Sequence, residues 1–197
     1  MMRSFLLSLA LALCAFTAAG AEQDLYNPLA VGLRWDLDVE VTSAVGQPVH
    51  GTAVREITGT EKFGPYTYFV VTTTFTDVPD MKEFTMYRRK SAHGIYAINA
   101  LDKTRQEFLE AVLPLTVGQA WKTTIGMQTF TSTVESKEAV KIDDKTYEDC
   151  IKVNYKTGNG ALSGTYYQAP DVGNVQETTV VGGKAYKFTL KKFSGLK

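Results

Sequence analysis

Pro28-Leu29-Ala30-Val31-Gly32-Leu33-Arg34-Trp35 returns 86 residues further on as Pro114-Leu115-Thr116-Val117-Gly118-Gln119-Ala120-Trp121. Five of the eight positions are identical, and the two copies contain both tryptophans of the chain. Proline fixes its own φ and glycine accepts a left-handed turn, so each copy predicts a turn that leads into a β-strand. The repeat predicts one domain over 22–197, built from two similar halves at 26–112 and 113–197.

The strand that follows the first copy has the clearest pattern in the chain. Apolar and polar side chains alternate from Leu33 to Thr42, which indicates a strand with one buried and one solvated face. The predicted buried face holds Leu33, Trp35, Leu37, Val39 and Val41. Such one-sided strands are typical of antiparallel sheets, whereas parallel sheets are covered on both faces.

Similar short patterns continue to the C-terminus, separated by glycine, proline and aspartate turns. They predict further strands at 51–57, 66–76, 83–90, 95–98, 121–130, 131–142, 147–157, 165–168, 175–181 and 185–193. The segment 103–113 has apolar residues at helical spacing but leads into the second copy, and we interpret it as a strand. The predicted fold is all-β: a strongly curved antiparallel sheet, half-barrel or barrel, of about ten strands.

The first 21 residues have the features of a secretory signal peptide. A basic start at Arg3 precedes an apolar run, and Ala19-Gly20-Ala21 provides small residues for cleavage after Ala21. A lipid-anchored form at Cys14 is the less favoured alternative, because Leu13 precedes that cysteine. The sequence therefore predicts a periplasmic or secreted bacterial protein of the cell envelope, without a transmembrane segment after cleavage.

Charge and cysteine content restrict the possible partners. The chain carries 21 basic and 21 acidic side chains, and cleavage would remove one basic residue with the signal. This balance argues against nucleic acid, which favours a basic surface. Cys150 would be the one cysteine left, in a strand pattern that predicts a buried, structural thiol.

Motifs for catalysis, metals and cofactors are absent from the sequence. His50 and His93 stand alone, and neither paired-cysteine metal spacing nor a phosphate-binding glycine loop occurs. Asp77, Asp80 and Glu83 surround a turn, but their spacing differs from a calcium loop, so a solvated turn is the preferred interpretation. We expect no enzyme activity, no cofactor and no metal.

The aromatic content suggests a binding role. The chain has ten tyrosines and ten phenylalanines, and a curved sheet can hold an apolar ligand on its concave side. Trp35, Trp121, Tyr166 and Tyr167 are the candidate ligand-binding residues. A well-filled core is the competing explanation for the same aromatic residues.

Several motifs together resemble a family of exported bacterial proteins. The motifs are Tyr26-x-Pro28-Leu29-x-Val31-Gly32-x-x-Trp35 with its return at Pro114, Tyr147-x-x-Cys150-x-x-Val153, and Tyr166-Tyr167-x-Ala169-Pro170-x-Val172-Gly173-x-Val175. In this order they resemble the TapB-like family, in which Gly173-Asn174-Val175 would more often be Gly-Leu-Val or Gly-Met-Val. The resemblance implies an exported β protein and supplies no catalytic residues. A remoter similarity, to LolA-like periplasmic lipoprotein carriers, is one of architecture alone.

These observations lead to one preferred function and one alternative. The preferred function is a non-enzymatic binding module for an apolar or amphipathic ligand or a lipidated partner, such as a lipoprotein. The alternative is a structural or protein-interaction module of the envelope without a small-molecule site.

Overall fold

A computed structural model describes residues 25–195, so the predicted signal peptide and its cleavage site lie outside the described residues. The described chain forms twelve strands and no helix. The strands are β1 (Arg34–Ser43), β2 (Val49–Phe63), β3 (Tyr66–Thr76), β4 (Glu83–Ser91), β5 (Gly94–Asn99), β6 (Phe108–Val112), β7 (Ala120–Ile125), β8 (Gln128–Ile142), β9 (Lys145–Thr157), β10 (Leu162–Ala169), β11 (Gly173–Val181) and β12 (Lys184–Ser194). No helix that could cross a membrane occurs between residues 25 and 195.

All twelve strands belong to one antiparallel sheet that curves into a nearly closed barrel. Their order is β6-β5-β4-β3-β2-β1-β12-β11-β10-β9-β8-β7. Every strand pairs with its neighbours in sequence except β6 and β7, which form the two edges, and the first strand also pairs with the last, β1 with β12. The predicted all-β, strongly curved antiparallel fold is confirmed, with twelve strands in place of about ten. The two edge strands, β6 and β7, face each other across the seam where the barrel would close.

Side chains rather than backbone ladders connect the two edges of the seam. Trp121 in β7 donates its Nε1–H to the carbonyl of Glu110 in β6 over 3.1 Å. The hydroxyl of Thr123 donates to the carbonyl of Leu109 over 2.5 Å. The seam is therefore bridged at two points although β6 and β7 do not pair in the sheet.

The predicted buried face of β1 is confirmed. Leu33, just before β1, and the four predicted side chains within β1 are all buried, with Trp35 only 6% exposed, and they pack with side chains of β12 and β2. Leu37 pairs with Leu190 and Ala53, and Val39 with Phe188 and Gly51. Paired residues of neighbouring strands point to the same side of a sheet, so these side chains form one continuous interior surface.

The two copies of the repeated sequence have equivalent backbone structures. Gly32 and Gly118 have positive φ values of 91° and 86°, conformations that glycine adopts without a steric penalty. The N–H of Gly32 donates to Ile57, and that of Gly118 donates to Val134, over 2.8 and 2.9 Å. Both tryptophans are 6% exposed. These correspondences support the prediction of two similar halves, which remains a prediction.

Several strand boundaries differ from those predicted. The predicted strand over 121–130 is divided by a turn at Gly126, whose φ of 58° suits a tight hairpin between β7 and β8. The predicted strand over 51–57 extends to Phe63, because a register shift between Ile57 and Gly59 lets β2 continue past that glycine. The segment 103–113 is a strand only over Phe108–Val112.

Cys150 is fully buried in β9, which confirms the prediction that this thiol is buried. Its Sγ donates to the carbonyl of Tyr147 over 3.3 Å. Burial raises the pKa of this thiol to about 11, because the thiolate would lose its hydration. The thiol therefore stays protonated and poorly nucleophilic at neutral pH.

Candidate functional site

A cavity of about 340 Å³ occupies the interior of the barrel. Side chains from β1 through β11 contribute to its wall, and residues 26–29 before β1 close part of it. The apolar part of the wall consists of Leu29, Trp35, Ile57, Val71, Phe84, Met86, Ile95, Phe108, Ala111, Ile125 and Phe130. This volume lies in the range of pockets that bind small molecules.

The segment before β1 is fixed against the end of the barrel by hydrogen bonds. The carbonyl of Leu25 accepts from the Asp171 N–H over 2.7 Å, and the Asn27 side chain accepts from Gln168 over 2.9 Å. The hydroxyl of Tyr26 donates to the carbonyl of Asp149 over 3.0 Å. The first copy of the repeated sequence thus contributes Pro28 and Leu29 to the cavity wall.

Two arginine–glutamate pairs line the same cavity. Arg88 on β4 forms a short ion pair with Glu110 on β6. Arg55 on β2 lies 3.9 Å from Glu177 on β11, beyond hydrogen-bonding distance. The Arg55 side chain is 15% exposed and that of Glu177 is 23% exposed. Charges are therefore placed in an interior whose other lining is largely apolar.

Burial changes the acid–base properties of these groups. Desolvation lowers the pKa of Arg55, with nearby Glu177 opposing that shift and Arg88 adding to it. Burial raises the pKa of Tyr155 to about 12, and it also raises the pKa of Tyr166. Both tyrosines therefore remain neutral hydrogen-bonding groups across the physiological pH range.

Buried polar atoms without a hydrogen-bond partner are concentrated on this cavity. Five such side-chain atoms occur among residues 25–195, and the five residues that carry them all line it. They are Nδ2 of Asn27, Nε of Arg88, Oε2 of Glu110, Oε1 of Gln168 and Oδ1 of Asn174. Buried polar groups are normally paired with protein or water, so these atoms are available to hydrogen-bond an occupant of the cavity, whether water or a ligand.

A second cavity of about 350 Å³ continues from the first toward the β3–β4 connection. Arg55, Phe84 and Glu177 line both cavities, so the Arg55–Glu177 pair lies at their junction. The far wall contains Phe75, Met81, Val181, Tyr186 and Phe188. The ammonium of Lys184 on β12 donates to Asp80 in the β3–β4 connection over 3.1 Å.

The four aromatic residues predicted from the sequence have different positions. Trp35 and Tyr166 line the first cavity, with the Trp35 indole donating to the carbonyl of Val172 over 2.6 Å. Trp121 packs into a neighbouring core cluster with Val134 and Val153. Tyr167 lies outside the lining residues, with the ammonium of Lys152 5.9 Å from its ring.

Sequence reasoning did not identify the charged residues of the interior. Arg55 and Glu177 lie in strands whose solvated faces also carry charged residues, so their residue types alone do not identify them as interior. Arg55 could have been assigned by register, because it is directly opposite Trp35 in the β1–β2 pair. Asn174, where the sequence departs from the resembled motif, also lines the cavity.

A second charged cluster, around Arg89, has the character of a structural contact. Its guanidinium donates to both carboxylate oxygens of Glu107 over 2.6 and 2.7 Å. Its Cζ also lies 4.1 Å from the ring centroid of Tyr66 and 4.3 Å from that of Tyr96. Because these contacts satisfy the charge, the cluster presents no group for a ligand. No group of three or more metal-ligating side chains occurs between residues 25 and 195.

Comparisons with known proteins extend the description of the fold. No protein-family model matches the chain, and no curated protein matches it. A solved structure of a predicted exported protein from Bacteroides fragilis with a YmcC-like fold is similar over 87% of this chain and 99% of that one, with a TM-score of 0.53 and 13% identity. A predicted lipoprotein from Parabacteroides distasonis is 10% identical, with a TM-score of 0.43 over 86% of this chain and 98% of the other. The chain therefore shares the fold of the Bacteroides fragilis protein.

Proposed function

We propose that this protein is a non-enzymatic binding module of the bacterial envelope, and that it holds an amphipathic small molecule inside the barrel. The observation that carries the proposal is the concentration of unpartnered buried polar atoms on an otherwise apolar cavity. A purely apolar ligand would leave those atoms unsatisfied. An amphipathic ligand would satisfy them and bury its apolar part against Phe108, Phe130 and Met86.

The resemblance to TapB-like proteins and the predicted signal peptide support an exported location for this binding module. The architectural similarity to LolA-like carriers supports a role in holding lipids or lipidated partners. These two resemblances support the proposal, but its main support is the geometry of the cavity.

The two tryptophans provide a direct test of where a ligand binds. Trp35 lines the cavity, whereas Trp121 does not, and both are buried to the same extent. Titration with a single-chain amphiphile such as dodecanol should change the protein fluorescence in a saturable way. The change should persist in Trp121→Phe, which retains Trp35, and should largely disappear in Trp35→Phe.

A substitution that fills the cavity provides the second test. Ser132 is buried and lines the cavity, so Ser132→Phe should weaken amphiphile binding by occupying the same space. Ser136→Phe on the same strand is the matched control, because Ser136 is absent from the lining of both cavities. Equal binding by both variants, each verified as folded by circular dichroism, would contradict binding inside the barrel.

A further inference from the structure

We propose that Arg55 is the head-group site of the barrel, and that it selects single-chain amphiphiles with a carboxylate head. This inference rests on the proposed function, because it assumes that the cavity binds an amphiphile. It adds the chemical class of the ligand and the side chain that recognises it.

The Arg55 guanidinium has few hydrogen-bond partners within the protein. Within the described residues, its side chain donates one hydrogen bond, from Nε to Thr73 Oγ1 over 3.4 Å. Glu177 is 3.9 Å away, which gives attraction between charges without a hydrogen bond. The two Nη groups, on a side chain that is 15% exposed, thus retain donors for an oxygen anion.

The other arginines in this region are matched more closely. Arg88 is in direct contact with Glu110, and Arg89 makes two hydrogen bonds to Glu107. Arg88 keeps one buried donor, its Nε, without a partner, but its charge is paired directly with Glu110. Among the described residues that line the cavity, Arg55 is the arginine whose guanidinium makes no hydrogen bond to a carboxylate. A guanidinium presents parallel N–H groups that match the two oxygens of a carboxylate.

Arg55 lies at the junction of the two cavities. Apolar walls extend from it in both directions, toward Phe130 and Met86 on one side and toward Phe75 and Phe188 on the other. A head group at Arg55 would therefore have space for one hydrocarbon chain on either side.

The carboxylates of the interior disfavour a head group with more than one negative charge. Glu177 and Glu110 lie close enough to influence the same tyrosine, Tyr166, so the interior already contains two carboxylates. A singly charged carboxylate adds less repulsion than a doubly charged phosphate. The unpartnered oxygens of Glu110 and Asn174 would bind neutral donors, such as water or a hydroxyl group of the ligand.

The test compares ligands that differ only in their head group. Dodecanoate, dodecyl phosphate, dodecanol and dodecylammonium are titrated calorimetrically, below their micelle concentrations at pH 8, into protein that has been stripped of lipid. We expect dodecanoate to bind about ten- to a hundredfold more tightly than dodecanol, which corresponds to one or two charge-assisted hydrogen bonds. We expect dodecyl phosphate and dodecylammonium to bind more weakly than dodecanoate.

Variants of Arg55 assign the selectivity to this residue. Arg55→Met should reduce dodecanoate binding to the level of dodecanol and leave dodecanol binding nearly unchanged, whereas Arg55→Lys should retain part of the preference. Arg34→Met is the matched control, because Arg34 is 43% exposed and absent from both cavity linings. Arg55→Met/Glu177→Gln avoids an unpaired carboxylate and tests the same prediction if Arg55→Met alone does not fold.

The outcomes separate the two proposals. If dodecanol binds as tightly as dodecanoate, or if Arg55→Met keeps the preference, the inference is wrong and the proposed function stands. Tighter binding of dodecyl phosphate would also overturn the choice of a carboxylate. If none of the four amphiphiles binds, both proposals are wrong.

Discussion

Replacing Trp35 with alanine tests whether the repeated sequence stabilises the fold through its tryptophan. The side chain is 6% exposed, its indole donates to Val172, and its ring centroid lies 5.3 Å from that of Phe193. Burial of a tryptophan removes roughly 150–250 Å² from water, which at about 25 cal/mol per Å² corresponds to roughly 4–6 kcal/mol. Measured losses for large-to-small substitutions in cores are about 3–5 kcal/mol, and we expect Trp35→Ala to fall in that range.

Urea unfolding followed by far-ultraviolet circular dichroism measures this loss without depending on the deleted fluorophore. Trp35→Phe is the matched control: it retains most of the packing and loses the indole hydrogen bond, so a loss of about 1–2 kcal/mol is expected. Trp121→Ala should resemble Trp35→Ala, because its side chain is equally buried and also donates to a carbonyl. A loss below about 1 kcal/mol for Trp35→Ala would refute the assignment of this residue to the core.

Three further predictions follow from local geometry. Gly164→Ala should destabilise the protein by about 2 kcal/mol or more, because a Cβ would lie 2.4 Å from the Thr178 carbonyl oxygen and from the Tyr155 side chain. The matched control is Gly59→Ala, whose Cβ would meet nothing within 4 Å and which should cost less than about 0.5 kcal/mol in the same urea assay. Cys150 should resist a thiol reagent at pH 8 until urea unfolds the protein. Because the pKa of the folded thiol, about 11, exceeds the reference value of 9.0, the unfolded state loses its proton first. The free energy of unfolding should therefore decrease as the pH rises from 9 to 11, and it should decrease less in Cys150→Ala, which has no thiol. Rapid labelling of the folded protein would contradict that burial. Thr123→Val should accelerate amide hydrogen exchange in β6 and β7, because it removes the hydroxyl that bridges the seam. Thr124→Val should not, because the Thr124 hydroxyl contacts the exposed Thr129. Equal exchange in the two variants would mean that the Thr123 hydrogen bond does not hold the seam together.

Local patterns in the sequence predicted the architecture well because they depend on short-range physics. Alternation from Leu33 to Thr42 identified the buried face of β1, and the paired Pro-Leu-x-Val-Gly stretches identified two turns with the same backbone conformation. Strand ends were less predictable. The continuation of β2 past Gly59 depends on a bulge, and the split at Gly126 depends on a glycine in left-handed conformation. Neither feature has a distinctive pattern of apolar residues.

The charged part of the site could not be predicted from local patterns, because its residues are far apart in the sequence. Arg55 and Glu177 meet only because β1 pairs with β12 and closes the first six strands against the last six. The sequence predicted an aromatic interior, and Trp35 and Tyr166 do line the cavity. It gave no basis for expecting ion pairs there, since charged residues on a strand are ordinarily placed on the solvated face.

Native mass spectrometry of the protein, purified without detergent from the cells that produce it, tests ligand binding in the barrel most directly. The proposed function predicts a population heavier than the polypeptide, with an extra mass that organic extraction removes and that Ser132→Phe reduces. The extracted compound should be a single-chain amphiphile. A mass equal to that of the polypeptide alone, together with no uptake of any of the four dodecyl amphiphiles, would contradict the proposed function and favour a structural or protein-interaction role in the envelope.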